Sequence, residues 1–453
     1  MLKNMLLLLS SIGLVLPLSA FSQVKEFSLP NGMKILVKED HRAPVVTTQV
    51  WYKVGSSYEP SGITGISHVL EHMMFKGTKK YPAGEFSRII AENGGSENAF
   101  TGRDYTAYFQ TMEKSRLPIS MELEADRMRN LVLSPEEFTK EVNVVMEERR
   151  LRTDDKPRSL TGEHFRATAY TNSPYQNPII GWMDDLKNLT VDDLEPWYDR
   201  WYAPNNATLV VVGDVDSNQV YELAKIHFGP LKPSNIKPIK PRQEVLQSGK
   251  RKISMNLPAK LPFLIMGYKV PVVTTAAEPW EPYALEVLAN IFSGSSSARF
   301  PRELERQQQI AVSVDVGYDL YARMSDLFTI DATPAEGHTM VEVKKEIQTQ
   351  IKKLVNGKIK PQELARIKAQ VVAAKVYERD SVFYQAMQLG MLETVGIPWK
   401  ESEVYADRIR AVTAEQVQSV AKKYLVNDSL TVAYLHPQSI TKAKPPTRKK
   451  IKK

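Results

Sequence analysis

The chain carries the same order of segments twice. Val50-Trp-Tyr-Lys-Val54 has a counterpart in Met266-Gly-Tyr-Lys-Val270, and the segment ending Met74-Phe75-Lys76-Gly77 in one ending Ile291-Phe292-Ser293-Gly294. Pro135-Glu-Glu-Phe138 then matches Pro361-Gln-Glu-Leu364, and Thr190-Val-Asp-Asp-Leu194 matches Thr413-Ala-Glu-Gln-Val417. Any one match could be chance, but four in the same order argue for an internal duplication, which restricts the fold to two copies of one unit. Pro230, Pro233, Pro238 and Pro241 with interspersed Lys mark a linker over residues 230–249. The predicted units are therefore residues 23–229 and 250–440.

Within the first unit, strand-like alternation at Lys34–Val37 and Val45–Val54 precedes a helical pattern at Ile66, Val69, Leu70, Met73 and Met74, stopped by Gly77. Strand-like pieces over Ala99–Thr111, helices at Ser115–Leu131 and Pro135–Leu151, and a buried strand at Leu209–Val212 follow. This order predicts an α+β class: two homologous α/β-sandwich halves, each with helices packed on one face of a largely antiparallel sheet.

The ends of the chain carry its charge and its address. Residues 1–22 hold one Lys, an apolar run from Met5 to Leu18, and small residues at Ser19, Ala20 and Ser22, the pattern of a secretory signal peptide. The run is shorter than the roughly 20 residues of a spanning helix, so no stable membrane insertion is expected. The chain has no Cys, and export without disulfides predicts a periplasmic or secreted location. The net charge of +8 resides in Lys3 and in seven cations between Lys442 and Lys453; residues 4–441 are balanced. The basic stretch 441–453 reads as a disordered tail, and nothing in the body predicts nucleic-acid binding.

His68-Val-Leu-Glu71-His72 lies on the first helix. Residues four apart share a face, so both imidazoles can reach one cation while Glu71 stands beside them, and zinc suits such ligands. A third ligand must come from elsewhere. The helix Pro135–Leu151 offers Glu137, Glu141 and Glu148, although a solvated face bridged to Arg149, Arg150 and Arg152 is the competing reading.

His68-x-x-Glu71-His72 is the inverted-zincin signature, and with Glu148 it resembles the pitrilysin, or insulinase, family of zinc metallopeptidases. The stretch Gly65-Ile-Ser-His-Val-Leu-Glu-His-Met-Met-Phe-Lys-Gly-Thr78 is similar to the corresponding helix of mitochondrial processing peptidase and its bacterial relatives. The likeness continues through Asn98-Ala-Phe-Thr101, Glu141-Val-Asn-Val-Val-Met-Glu-Glu148, and Pro174-Tyr175 to Gly181. The resemblance implies His68, His72 and Glu148 as ligands of one zinc ion per chain, Glu71 as general base, Glu141 as a further acid at the site, and Asn98 and Ala99 on an edge strand that pairs with a peptide substrate. A turn role for Asn98 after Gly94-Gly95 is the alternative.

In the second copy the positions of His68, Glu71, His72, Glu141 and Glu148 fall on Leu285, Leu288, Ala289, Ile367 and Ala374, so a second zinc of this kind is excluded. Single-chain relatives also carry an Arg and a Tyr seven residues apart that hold substrate. Here Glu305 and Val312 occupy those places, with Arg306 and Arg299 as stray alternatives. The resemblance then implies a division of labour: a zinc-bearing subunit paired with a homologous non-catalytic subunit that supplies the Arg/Tyr pair, together enclosing a chamber for short or unfolded peptides. A homodimeric peptidase and a catalytically silent assembly protein of the same fold are the alternatives, and a tail-mediated binder of anionic surfaces is a third.

Overall fold

The computed structural model describes residues 23–240 and 242–439; the expected signal peptide and basic tail lie outside them. The first sheet contains β1 (Lys25–Ser28), β2 (Lys34–Glu39), β3 (Val45–Tyr52), β4 (Ser96–Thr101), β5 (Thr106–Glu113) and β6 (Ala207–Gly213) in the order β1-β2-β6-β3-β5-β4. The second contains β7 (Arg251–Pro258), β8 (Phe263–Val270), β9 (Ala311–Gly317), β10 (Asp326–Pro334) and β11 (Leu430–Gln438) in the order β7-β11-β8-β10-β9. Among the described residues only β2 with β6 and β7 with β11 run parallel. Apart from β1, the two sheets match strand for strand, so the duplication is one of topology as well as of sequence.

The helices repeat in the same way. The first half carries α1 (Ile66–Met73), α2 (Glu85–Glu92), α3 (Leu117–Asn130), α4 (Pro135–Arg149), α5 (Pro157–Ala169), α6 (Met183–Asn188), α7 (Val191–Trp201) and α8 (Ser217–His227). The second carries α9 (Glu281–Ser293), α10 (Met340–Asn356), α11 (Pro361–Glu378), α12 (Val382–Thr394), α13 (Glu401–Ala411) and α14 (Ala414–Tyr424). Two of the matched sequence segments turn out to be helix starts: Pro135 and Pro361 open α4 and α11, where the missing N–H costs nothing, and Thr190 and Thr413 form capping boxes with Asp193 and Gln416. The strand-like pieces expected over Ala99–Thr111 are β4 and β5, joined by a turn in which the Gly102 N–H donates to the Tyr105 carbonyl. Among the described residues no helix is long and apolar enough to cross a membrane.

One face of each sheet packs on its own helices, as the pattern predicts. The other face is covered too, and by the opposite half. Helix α12 brings Ala386 and Leu389 onto Leu36, Trp51, Ala107, Val210 and Val212 of the first sheet, joined there by Trp399. Helix α5 reciprocates by laying Phe165 and Ala169 on Phe263, Ile265, Ala433 and Leu435 of the second. Helices on one face only was thus an incomplete expectation: a duplicated unit can exchange a helix with its twin, and single-sequence periodicity does not reveal which sheet receives it.

The exchange is fitted by a reciprocal change of size. Trp51 and Gly267 occupy the same place in the two sheets, and α12 meets the Trp with Gly390, while α5 meets the Gly with Phe165. A Cβ on Gly390 would lie 2.1 Å from Trp51 Nε1, and one on Gly267 would lie 2.5 Å from Phe165 Cζ. Bulk sits on the strand in one junction and on the helix in the other, which keeps both at close packing. Charged pairs cross the same boundary. Asp104 receives Arg323 Nε at 3.0 Å and Ser57 Oγ at 2.7 Å, while Asp326 receives Arg103 at 3.0 Å and the Tyr170 hydroxyl at 2.6 Å. Burial alone would raise the Asp326 carboxyl, but Arg103, Arg166 and Tyr170 together hold it below the usual aspartate value. Gly390→Ala should therefore overpack the α12 junction and destabilise the protein by about 1–3 kcal/mol, read as a lower denaturant midpoint.

Candidate metal centre

Helix α1 is fixed at its start by a crossing of two chain segments. Gly65 (φ +88°) and Gly181 (φ +87°) touch there: a Cβ on the first would lie 2.6 Å from the Ile180 carbonyl oxygen, and one on the second 2.4 Å from that of Thr64. Only glycine tolerates both the left-handed backbone and the contact. The buried Glu59 carboxylate receives the free N–H groups of Gly65 at 2.7 Å and Ser67 at 2.9 Å, capping the helix from the segment just before it. Burial pushes this carboxyl up to about 7, against the pull of those N–H bonds. Ile66, Val69, Leu70 and Met73 then face the core, which turns His68, Glu71 and His72 to the opposite side.

Helix α4 packs across α1. Ser134 caps it, and Phe138, Val142 and Val145 anchor it in the core. Glu141 and Glu148, two turns apart, meet the α1 histidines; Glu137, the third acid of the expected stripe, is instead 2.9 Å from Lys140. Glu148 Oε2 lies 3.7 Å from His68 Nε2 and 3.6 Å from His72 Nε2, and the three candidate ligand atoms lie within 4.8 Å of one another. Both separations exceed hydrogen-bond length. They are near the roughly 3.3–3.4 Å between neighbouring ligands of a tetrahedral ion with bonds of about 2.0–2.1 Å.

The surroundings prepare the donors for a cation. Burial, with smaller contributions from His72 and Arg152, lowers the His68 imidazole to about 3, so it is neutral near pH 7 and keeps a lone pair. His72 Nδ1 lies 3.1 Å from Glu141 Oε2, which leaves Nε2 free to face Glu148, and Lys76 Nζ neutralises the other Glu141 oxygen at 2.6 Å. Arg152 holds Glu148 Oε1 at 2.7 Å. The salt-bridged helix face weighed against a metal role is thus present on one oxygen of Glu148 while the other points at the histidines. Arg149 and Arg150 are engaged elsewhere, by Glu163 at 2.8 Å and by Glu147. Two imidazoles and a carboxylate converging in this way fit a zinc-type ion.

Glu71 lies beside this group. Burial raises its carboxyl above the ordinary glutamate value, and a hydrogen bond from the Thr101 hydroxyl opposes the rise. Thr101 ends β4, the outer strand of the first sheet, which pairs only with β5. Asn98 and Ala99 are the third and fourth residues of that strand, which rules out the turn alternative for Asn98, and the Asn98 side-chain oxygen receives the Ala99 N–H at 2.8 Å. Thr101, Lys76, Arg152 and Glu59 were not anticipated as site residues. Lys76 follows His72 by four, a helical spacing that could have flagged it; the contacts of Glu59 and Thr101 come from chain tracing that no local pattern reveals.

In the second half Leu285, Leu288, Ala289 and Ile367 are core, and among the described residues no second group of metal-type ligands occurs. Glu305 receives the Val314 N–H at 2.9 Å, Val312 is 62% exposed, and Arg299 is fork-bonded to Glu363 at 2.9 and 2.8 Å.

Residues 34–182 match the profile of the insulinase family, peptidase family M16, and residues 188–371 match that of the peptidase M16 inactive domain. The chain is 36% identical over 345 residues to a zinc protease PqqE of Helicobacter pylori, covering 75% of this chain and 77% of the relative. A crystal structure of a protease from Helicobacter pylori superposes with a TM-score of 0.86 at 31% identity, covering 92% of this chain and all of the other. The periplasmic protease PqqL of Escherichia coli shares the fold, with a TM-score of 0.77 at 19% identity, and this chain spans 48% of it. A metal-type centre on the inverted-zincin helix of one half, and apolar residues at the equivalent positions of a second half of the same topology, thus belong to a member of the insulinase-type peptidase family M16.

Proposed function

We propose that the protein is a zinc-dependent endopeptidase of exported, periplasmic type that cleaves short or unfolded peptides. The convergence of His68 Nε2, His72 Nε2 and Glu148 Oε2 beside a half-buried Glu71 carries this reading. His68, His72 and Glu148 hold the metal, and Glu141 orients His72 through Nδ1. A bound zinc ion would lower the pKa of its water and polarise the scissile carbonyl. Glu71, held by Thr101, takes the proton of the attacking water and returns it to the leaving amine. The outer edge of β4 at Asn98 and Ala99 pairs with the peptide backbone, which permits many sequences because main-chain bonds supply the affinity. The leader at residues 1–22 and the periplasmic PqqL neighbour favour export. A silent assembly protein of this fold has no use for a half-buried acid beside two imidazoles.

Among the described residues the second half offers no such substrate-holding pair at these places, since Glu305 is bound to its own sheet edge and the Val312 side chain cannot donate a hydrogen bond. This supports a heterodimer in which a homologous subunit supplies Arg and Tyr and closes a chamber over the zinc. PqqL, about twice as long as this chain, is consistent with two such units working together.

Glu71→Gln should retain zinc and lose peptide hydrolysis by at least 100-fold, as should chelation of the wild type; unchanged turnover in the variant would remove Glu71 from the mechanism. Glu141→Gln should weaken zinc binding about 10–100-fold in a competition titration while leaving the melting temperature near wild type. The purified chain alone should show little turnover, restored by a co-expressed homologue that carries the Arg/Tyr pair. Full activity of the single chain would favour the homodimeric reading.

A further inference from the structure

The two sheets end on equivalent outer strands. β4 pairs only with β5 and β9 only with β10, and Tyr52 and Tyr268 correspond, so the registers place Ala99 opposite Tyr108 where the second sheet places Val316 opposite Ile330. On β9 the outward N–H groups are those of alternate residues, and two in succession are already taken. Val316 N–H donates to Ser293 Oγ at 2.9 Å and Val314 N–H to Glu305 Oε1 at 2.9 Å. Ser293 is the last residue of α9, and Glu305 lies in the helical turn Pro301–Gln307; both elements pack against β9.

On β4 the matching N–H, that of Ala99, meets only the side chain of the residue before it. Rotation of Asn98 frees that donor, whereas freeing Val314 and Val316 requires two acceptors anchored on separate elements to withdraw. A peptide that adds a strand needs consecutive outward N–H groups, spaced two residues or about 6.6 Å apart. We infer that Ser293 and Glu305 are edge guards that close the second sheet to strand addition and confine an extended peptide to β4, beside Glu71. This deepens the peptidase reading above and rests on it. It also accounts for Glu305 at the place where a substrate-holding Arg is expected: a carboxylate accepts a backbone N–H, and a guanidinium cannot. Unguarded, β9 would be an exposed edge prone to pair with any extended chain.

The test uses the full zinc-loaded chain carrying Glu71→Gln, so that a fluorescent unfolded peptide is bound and not cut, with sedimentation run in parallel. The parent should bind one peptide. Adding Ser293→Ala and Glu305→Ala should raise the count to two or drive self-association through β9, and Glu305→Gln alone, which keeps an acceptor oxygen, should stay at one. A folded double variant that gains neither a peptide nor a partner overturns the guard. If the parent binds no peptide, the reading of β4 as a substrate-pairing edge of the single chain fails while the guard is still decided by whether the double variant self-associates. In case that variant does not fold, hydrogen exchange on the unaltered protein decides: the Val314 and Val316 amides should be protected and the Ala99 amide exchange faster, and rapid exchange at both valines overturns the guard.

Discussion

The exchange of α5 and α12 between the halves is the constraint on which the rest of the structure depends. A sheet with one bare apolar face is not stable in water, and each half of this chain leaves such a face uncovered by its own helices. Leu36, Val210 and Val212 on one sheet and Ile265, Ala433 and Leu435 on the other are buried only because a helix arrives from the opposite half. The two units therefore form one cooperative body. The Asp104–Arg323 and Asp326–Arg103 pairs add direction to the apolar contact, because buried charges must meet their partners and fix the angle at which the halves join.

That rigidity reaches the candidate site through short paths. The turn between β4 and β5 carries Arg103 and Asp104, so the strand that presents Asn98, Ala99 and Thr101 is tied to the second half by its very next residues. The segment holding Gly181 and Asp185 follows α5, the donated helix, and clamps the start of α1 through Thr64 and Gly65. Edge strand and metal helix are thus positioned by the same boundary. For a site whose donors must agree to within fractions of an ångström, support from packed elements matters as much as the donors themselves.

Much of this was legible in the sequence, and the remainder was not for identifiable reasons. Helix starts repeat because proline at the first position and the Thr capping boxes are local, and the His68–His72 spacing is dictated by helical geometry, so both could be read directly. From helical spacing alone Glu148 was one of several acids; the family resemblance singled it out, and the approach of α1 across α4 is what brings it to the histidines. Thr101 and Glu59 are further removed: each acts on α1 from another segment, and no periodicity connects them. The destination of α5 and α12 was hidden because an amphipathic helix states which of its faces is apolar without stating which sheet will cover it.

The divergence of the halves follows from the same duplication. Two copies of an edge strand and a helix pair would give two potential metal centres and two strand-adding edges, and one polypeptide has kept a single set. Where the first half has His68, Glu71 and His72, the second has residues that extend its core. Where β4 leaves a donor under a movable side chain, β9 has both donors bound by Ser293 and Glu305. Leu285 and Ala289 stand where two ligands would hold a second ion, and Glu305 removes the edge that would feed it. A duplicated fold becomes one-sided when chemistry and access are withdrawn from the same copy, and here the withdrawn copy is the one that supplies α12 to brace the other.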